Sequence, residues 1–266
     1  MDTALVSPVR PPVSWWRDTL APKEHGSWSL AFEPIVLSCL VASSSAGVYL
    51  GVALAAGFFA RRPLKIAFRD QRPERRMAAM WALGGCAGVA LLAFAAVIAL
   101  AGVDWLVWLC PAAIAGVAFA YFDCRGAGRE EAAEVMGAAA FATVPVAFSA
   151  LAGWPVLSGV ALALLVLGRS VPSVLCVRAF IRTAKTGVRR NTPALVTAWL
   201  ALALTAWLAN RGLVPFFAVI AMALYVLRAL ALLVFVRPAW RARRIGMIEA
   251  ISGIVFLIGL AVAWTV

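Results

Sequence analysis

The chain has 266 residues, of which 64% are hydrophobic and only 14% charged, and its mean hydropathy is +0.93. A soluble domain is roughly 45–50% apolar and about 25% charged, so this composition excludes an ordinary soluble protein and points to an integral membrane protein of one domain. The formal net charge is +12. In a soluble chain that charge would suggest a nucleic-acid partner. Here the cations gather in short loops between apolar runs, the positive-inside pattern, without the reading face a nucleic-acid binder needs. No nucleic-acid partner is expected.

The apolar runs are continuous rather than alternating, so the spans are read as helices. Residues 1–27 read as a cytoplasmic tail, with Trp15, Trp16 and Arg17 as an interfacial anchor. No basic stretch precedes an apolar run there, so no removable signal peptide is expected. The first span runs from about Trp28 to Ala42 and carries Glu33 and Pro34. A turn at 43–47 leads into a second span at about 48–60, which ends on a cationic stretch, Arg61 to Arg76. Further spans follow at about 78–100, 105–122, 132–151, 155–168, 193–208, 213–236 and 246–266. The third holds Gly84-x-x-x-Gly88, a spacing that lets helix backbones approach closely. The sixth is short for a crossing, and its helix is free to continue through Arg169 and past Pro172.

The expected fold is therefore all-α and polytopic: residues 28–266 form a single domain of about nine transmembrane helices. Alternate loops at 61–76, 123–131, 169–190 and 237–244, with the N-terminal tail, hold every Lys and Arg except Arg211 and Arg228. That asymmetry places the N-terminus in the cytoplasm and the C-terminus outside.

Two cationic stripes stand out on that cytoplasmic side. Arg62, Lys65, Arg69, Arg72 and Arg76 follow steps of 3 and 4, and so do Arg178, Arg182, Lys185 and Arg189. On a helix such spacing collects cations on one face, with Pro73 able to interrupt the last turn of the first stripe. The stripes either hold loops at anionic headgroups or clamp an anionic ligand, because Arg forks meet phosphate or carboxylate in pairs. Glu33, Arg228 and Glu249 lie inside spans, where a charge costs about 2.5–3.5 kcal/mol on insertion scales. They are expected to face the interior, either as an ion pair of Arg228 with Glu33 or Glu249, or as part of a ligand cavity. Glu24, His25 and Trp28 open the first span as an interfacial anchor or as a cavity wall. In the second case His25 or Glu24 is the acid/base candidate and Trp28 a ligand contact. Asp123, Arg125, Arg129, Glu130, Glu131 and Glu134 form a mixed ion-pair loop or orient the stripes.

Five scattered cysteines without a C-x-x-C pair support neither a disulfide framework nor a metal knot. His25 is the single histidine, so two histidines for a haem are not available. No metal and no other cofactor is expected.

Lys23-Glu24-His25-Gly26-Ser27-Trp28, Arg61-Arg62-Pro63 and Arg178-x-x-x-Arg182 resemble the YwiC-like family of bacterial membrane proteins, which implies a multi-pass protein of the bacterial cytoplasmic (inner) membrane. More distantly, the nine-span plan resembles the UbiA superfamily of intramembrane prenyltransferases. That resemblance implies functional regions after the second and sixth helices, where relatives carry aspartates that bind magnesium and hold a prenyl diphosphate. Here Arg62, Lys65 and Arg69 match the first aspartate spacing, and Arg178 and Arg182 the second. An Arg or Lys cannot ligate magnesium but meets phosphate directly. The expectation is a UbiA-like cavity opening to the cytoplasmic side. In it Arg62, Lys65, Arg69, Arg178, Arg182 and Lys185 hold an anionic or prenyl lipid without magnesium, beside ordinary membrane lipids. Whether it is an enzyme is left open. A non-catalytic subunit of a membrane complex and a small-anion transporter are the alternatives.

Overall fold

The structure is a computed structural model that describes residues 25–128, 130–235 and 242–265. The interfacial segment Trp15–Arg17, Glu24, Arg129 and most of the basic loop at 237–244 lie outside the described residues.

Among the described residues, ten α-helices follow in chain order. They are α1 (His25–Val41), α2 (Ser45–Arg69), α3 (Pro73–Ala101), α4 (Cys110–Cys124), α5 (Glu131–Ala142), α6 (Pro145–Leu151), α7 (Val156–Thr186), α8 (Thr192–Asn210), α9 (Phe217–Leu230) and α10 (Ala242–Thr265). A 3-10 turn at Asp104–Leu109 leads into α4, and a π turn at Ala231–Phe235 extends α9. With α5 and α6 counted as one broken rod, the described residues form nine rods. Seven of them are long and apolar enough to cross a membrane. The segment Trp28–Val41 is apolar but shorter, and α2 turns basic at Arg61. This is the architecture of a multi-pass integral membrane protein.

The ends of the rods follow local chemistry. Ser44 caps α2, its Oγ accepting from the Gly47 amide at 3.0 Å. The chain turns at Asp70, whose Oδ1 accepts from the Arg72 amide at 3.1 Å, and Pro73 then opens α3. Pro111 and Pro145 also stand in the first turn of their helices, where a missing N–H costs nothing. α7 is one continuous 31-residue helix despite Pro172. It stops at Gly187, whose φ of +71° is a left-handed value that favours glycine.

Two of these boundaries change the reading of the cationic stripes. Arg61–Arg69 belong to α2 itself, whereas Arg72 and Arg76 lie beyond the turn and do not prolong the stripe. Arg189 likewise falls past the end of α7. Arg169, counted with the loop at 169–190 although its helix was free to continue through it, lies in the middle of α7 and is buried.

The rods pack mainly as neighbours in sequence: α2 with α3, α4 with α5, α7 with α8 and α8 with α9. α1 and α10 close the bundle against each other, and α5 and α6 pack on α7. One apolar cluster joins Leu37, Leu162, Leu165, Met222, Phe256 and Leu260 across α1, α7, α9 and α10. A second gathers Ile35, Leu50, Val97, Trp105, Val144 and Phe148 around the break between α5 and α6. A third, with Cys176, Phe180, Leu232 and Ile245, ties α7 to α9 and α10. By contrast α3 and α4 leave most of their surface unburied, as expected of helices that meet lipid. The face of α3 holding Gly84, Gly85 and Gly88 has open space before it among the described residues.

Candidate functional site

One cavity of about 1530 Å³ runs into the bundle between α1, α2, α4, α5, α7 and α10. It exceeds the roughly 300–1,000 Å³ of an ordinary small-molecule site. Its walls are largely apolar, including Leu54, Phe58, Phe119, Phe141, Val144 and Val177. Charges occupy its two ends.

At the mouth, α2 contributes Arg61, Lys65 and Arg69, and α7 contributes Arg178, Arg182 and Lys185. Each set is spaced by 3 or 4 residues, so each falls on one helical face. Arg62 does not line the cavity. It is rotated about 100° from Arg61, which puts it at the edge of that face. The cavity stripe on α2 is thus 61, 65 and 69, not the 62, 65 and 69 expected from sequence.

Three carboxylates stand between the stripes. Asp123, at the end of α4, meets Lys65 Nζ at 3.0 Å and Arg61 at 3.6 Å. Arg69 donates to the carbonyl oxygens of Asp123 and Cys124, at 3.1 and 2.8 Å. At the start of α5, Glu134 pairs with Arg178 at 2.7 Å and Glu131 with Arg182 at 2.6 Å. The loop acids therefore orient both stripes, yet six cations face only three carboxylates. Lys185 has no ion pair among the described residues. The mouth keeps a positive excess beside an apolar chamber.

At the floor the charges are buried and matched. Arg169 on α7, with 3% of its surface exposed, pairs with Glu33 on α1. Its Nε donates to the Tyr225 hydroxyl at 3.0 Å, and its guanidinium lies 5.3 Å from that ring and 5.7 Å from Phe256. Glu33 also accepts from Ser29 one turn earlier. Arg228 on α9 pairs with Glu249 on α10 and donates to Ser252 at 3.1 Å. Arg169, Glu249, Ser29 and Ser173 all line the cavity. Gly253 on α10 admits the first pair: a Cβ there would overlap atoms of both Glu33 and Arg169.

Most of the candidates from the sequence have a place in the structure. Lys65, Arg69, Arg178, Arg182 and Lys185 converge on one mouth. Arg228 takes Glu249 as its partner, while Glu33 takes Arg169, a residue that sequence reasoning assigned to a loop. An unpaired acid inside a span calls for a buried cation, and that was the available signal. Trp28 lies outside the cavity lining and packs on Phe32, Phe58 and Phe59 with ring centroids 5.3–5.9 Å apart. Glu24 and the His25 side chain lie outside the described residues. Among the described residues, no three His, Cys, Asp or Glu side chains gather as a metal site.

Residues 21–149 match the model of the YwiC-like protein family. That segment spans α1 to the middle of α6 and contains the first stripe, Glu33 and all three mouth carboxylates. Arg169, the second stripe and Glu249 lie beyond it. No curated protein and no solved structure matches the chain.

Proposed function

We propose that this membrane protein binds an anionic amphiphile, a phosphate-headed lipid of prenyl or other chain, in its central cavity. The mouth cations hold the head and the apolar walls hold the chain. The observation that carries this reading is the continuity of the site. One cavity joins a six-cation mouth to an apolar chamber too large for a small polar anion alone. Guanidinium groups bind phosphate by paired hydrogen bonds in fixed geometry. In the UbiA-like reading, Lys65, Arg69, Arg178 and Arg182 stand at the spacing of the metal-binding aspartates, which supports a head held directly and not through magnesium. The nine rods of the described residues and the large cavity support the UbiA-like reading, and the loop charges support a cytoplasmic mouth and an external C-terminus. Any chemistry at the mouth would draw on cationic stabilisation of a leaving phosphate; no bond-making step is assigned.

The test is lipid identity. Lipids extracted from the purified protein and weighed by mass spectrometry should be enriched in a phosphate-headed species over the surrounding membrane. Arg61→Gln and Arg178→Gln should each reduce that enrichment. A profile identical to bulk lipid, unchanged in both variants, would overturn the reading.

A second reading, a non-catalytic subunit of a membrane complex, is favoured by one observation: the glycine face of α3 is open. Its test is particle size in mild detergent, where a lone monomer argues against it.

A further inference from the structure

The two ends of the cavity differ in what they leave unsatisfied. At the mouth the surplus is positive charge. At the floor the formal charges cancel: Glu33 meets Arg169, and Glu249 meets Arg228. Arg169 also donates to Tyr225 and Arg228 to Ser252; the Arg228 Nε keeps no hydrogen-bond partner among the described residues, but Arg228 does not line this cavity. A ligand carboxylate or ammonium arriving there would find no free counter-ion and would carry the full cost of a buried, unpaired charge.

What the floor does offer is hydrogen bonding. Ser173 lies one turn beyond Arg169 on the same face of α7 and lines the cavity. It is 6% exposed, and its buried hydroxyl has no hydrogen-bond partner among the described residues. A hydroxyl left unpaired in an apolar interior costs about 1–3 kcal/mol, so a ligand atom that satisfies it gains selectively. Ser29 is not equivalent, because its hydroxyl is committed to Glu33.

We infer that the floor of the cavity is a second recognition site, centred on Ser173, for an uncharged hydrogen-bonding group such as a hydroxyl or carbonyl. Resting on the reading of the mouth as a phosphate site, it deepens the substrate class: an amphiphile with an anionic head and a neutral polar group at depth. Along α7, Ser173 lies about 7.5 Å from Arg178 and about 14 Å from Arg182 at 1.5 Å per residue, a span that a chain of about ten carbons bridges.

The experiment compares three probes on the full chain by native mass spectrometry: decyl phosphate, 10-hydroxydecyl phosphate and 1-decanol. Wild type is set beside Ser173→Ala and Ser173→Thr, so that partition into detergent cancels between proteins. The hydroxyl-bearing phosphate should be retained about threefold to tenfold better than decyl phosphate by wild type. The preference should vanish in Ser173→Ala and persist in Ser173→Thr. Equal retention of the two phosphates, or a preference that survives Ser173→Ala, overturns the floor site and leaves the mouth reading standing. Loss of both phosphates with Ser173-dependent retention of decanol overturns the mouth reading and leaves the floor site. Retention of no probe overturns both.

Discussion

The mouth and the floor of this cavity are made of the same side chains, arginines facing carboxylates, and they differ in what surrounds them. At the mouth, Arg178 and Arg182 keep 23% and 35% of their side-chain surface exposed, and the acids opposite them are more open still. At the floor, the Arg169 side chain is 2% exposed and Glu33 11%. An exposed ion pair contributes little, because water competes for both partners. A buried one is held tightly because neither partner has an alternative. The mouth is therefore free to exchange a carboxylate for a ligand phosphate, and the floor is not. On the proposed reading, charge at one end is available to bind, whereas charge at the other joins α1 to α7 and α9 to α10.

That contrast can be broken most forcefully at the floor. Arg169→Ala strands Glu33 in the bundle and should cost about 3–5 kcal/mol, read as a large loss of thermal stability in detergent. Arg169→Met combined with Glu33→Leu removes both charges and should recover most of that loss. If the double variant is no better than the single, the pair is not the lock described. Next in size is Gly253→Ala, whose Cβ would collide with both members of the pair. Overpacking of this kind costs about 1–3 kcal/mol, so its melting temperature should fall while Gly246→Ala, with open space around it, stays near wild type.

At the mouth the expected effects reverse. Arg178→Ala should change stability by about 1 kcal/mol or less yet lower retention of the phosphate lipid severalfold. A large stability loss without a change in retained lipid would assign that residue to structure. The smallest effect is the sharpest test of register. Arg61→Ala should reduce lipid retention, and Arg62→Ala should leave it unchanged, since Arg62 lies off the cavity face. The opposite order would restore the stripe read from sequence.

Much of this was legible before the structure. Continuous, non-alternating apolar runs read as helices in lipid, and the turn read at 43–47 is where Ser44 caps α2. The two stripes showed because a 3- and 4-residue spacing survives in any helix. What failed was phase and extent. The helix of the sixth span does continue past Pro172, as the sequence allowed, and Pro63 likewise lies inside a continuous helix. The stripe drawn across Pro73 ran too far because the chain turns at Asp70 and Pro73 opens a new helix, and the loop-by-loop charge count places Arg169 in the loop at 169–190. With Arg169 in a loop, Glu33 had only Arg228 within reach, and the true partner was hidden. Ser173 carries no signal in sequence at all, since an unpartnered hydroxyl is visible only once its neighbours are placed. Gly253 is similar: glycines are common in membrane helices, and only the position of Glu33 gives this one a reason.

The most direct test of the central claim is the lipid carried by a protein whose mouth has been neutralised. Arg61, Lys65, Arg178 and Arg182 are changed together to Gln, and lipids retained through purification are compared with wild type by native mass spectrometry. The expected result is a folded protein, with a melting temperature close to wild type, that has lost its phosphate-headed lipid. A folded variant that still retains the same lipid at the wild-type level would contradict it.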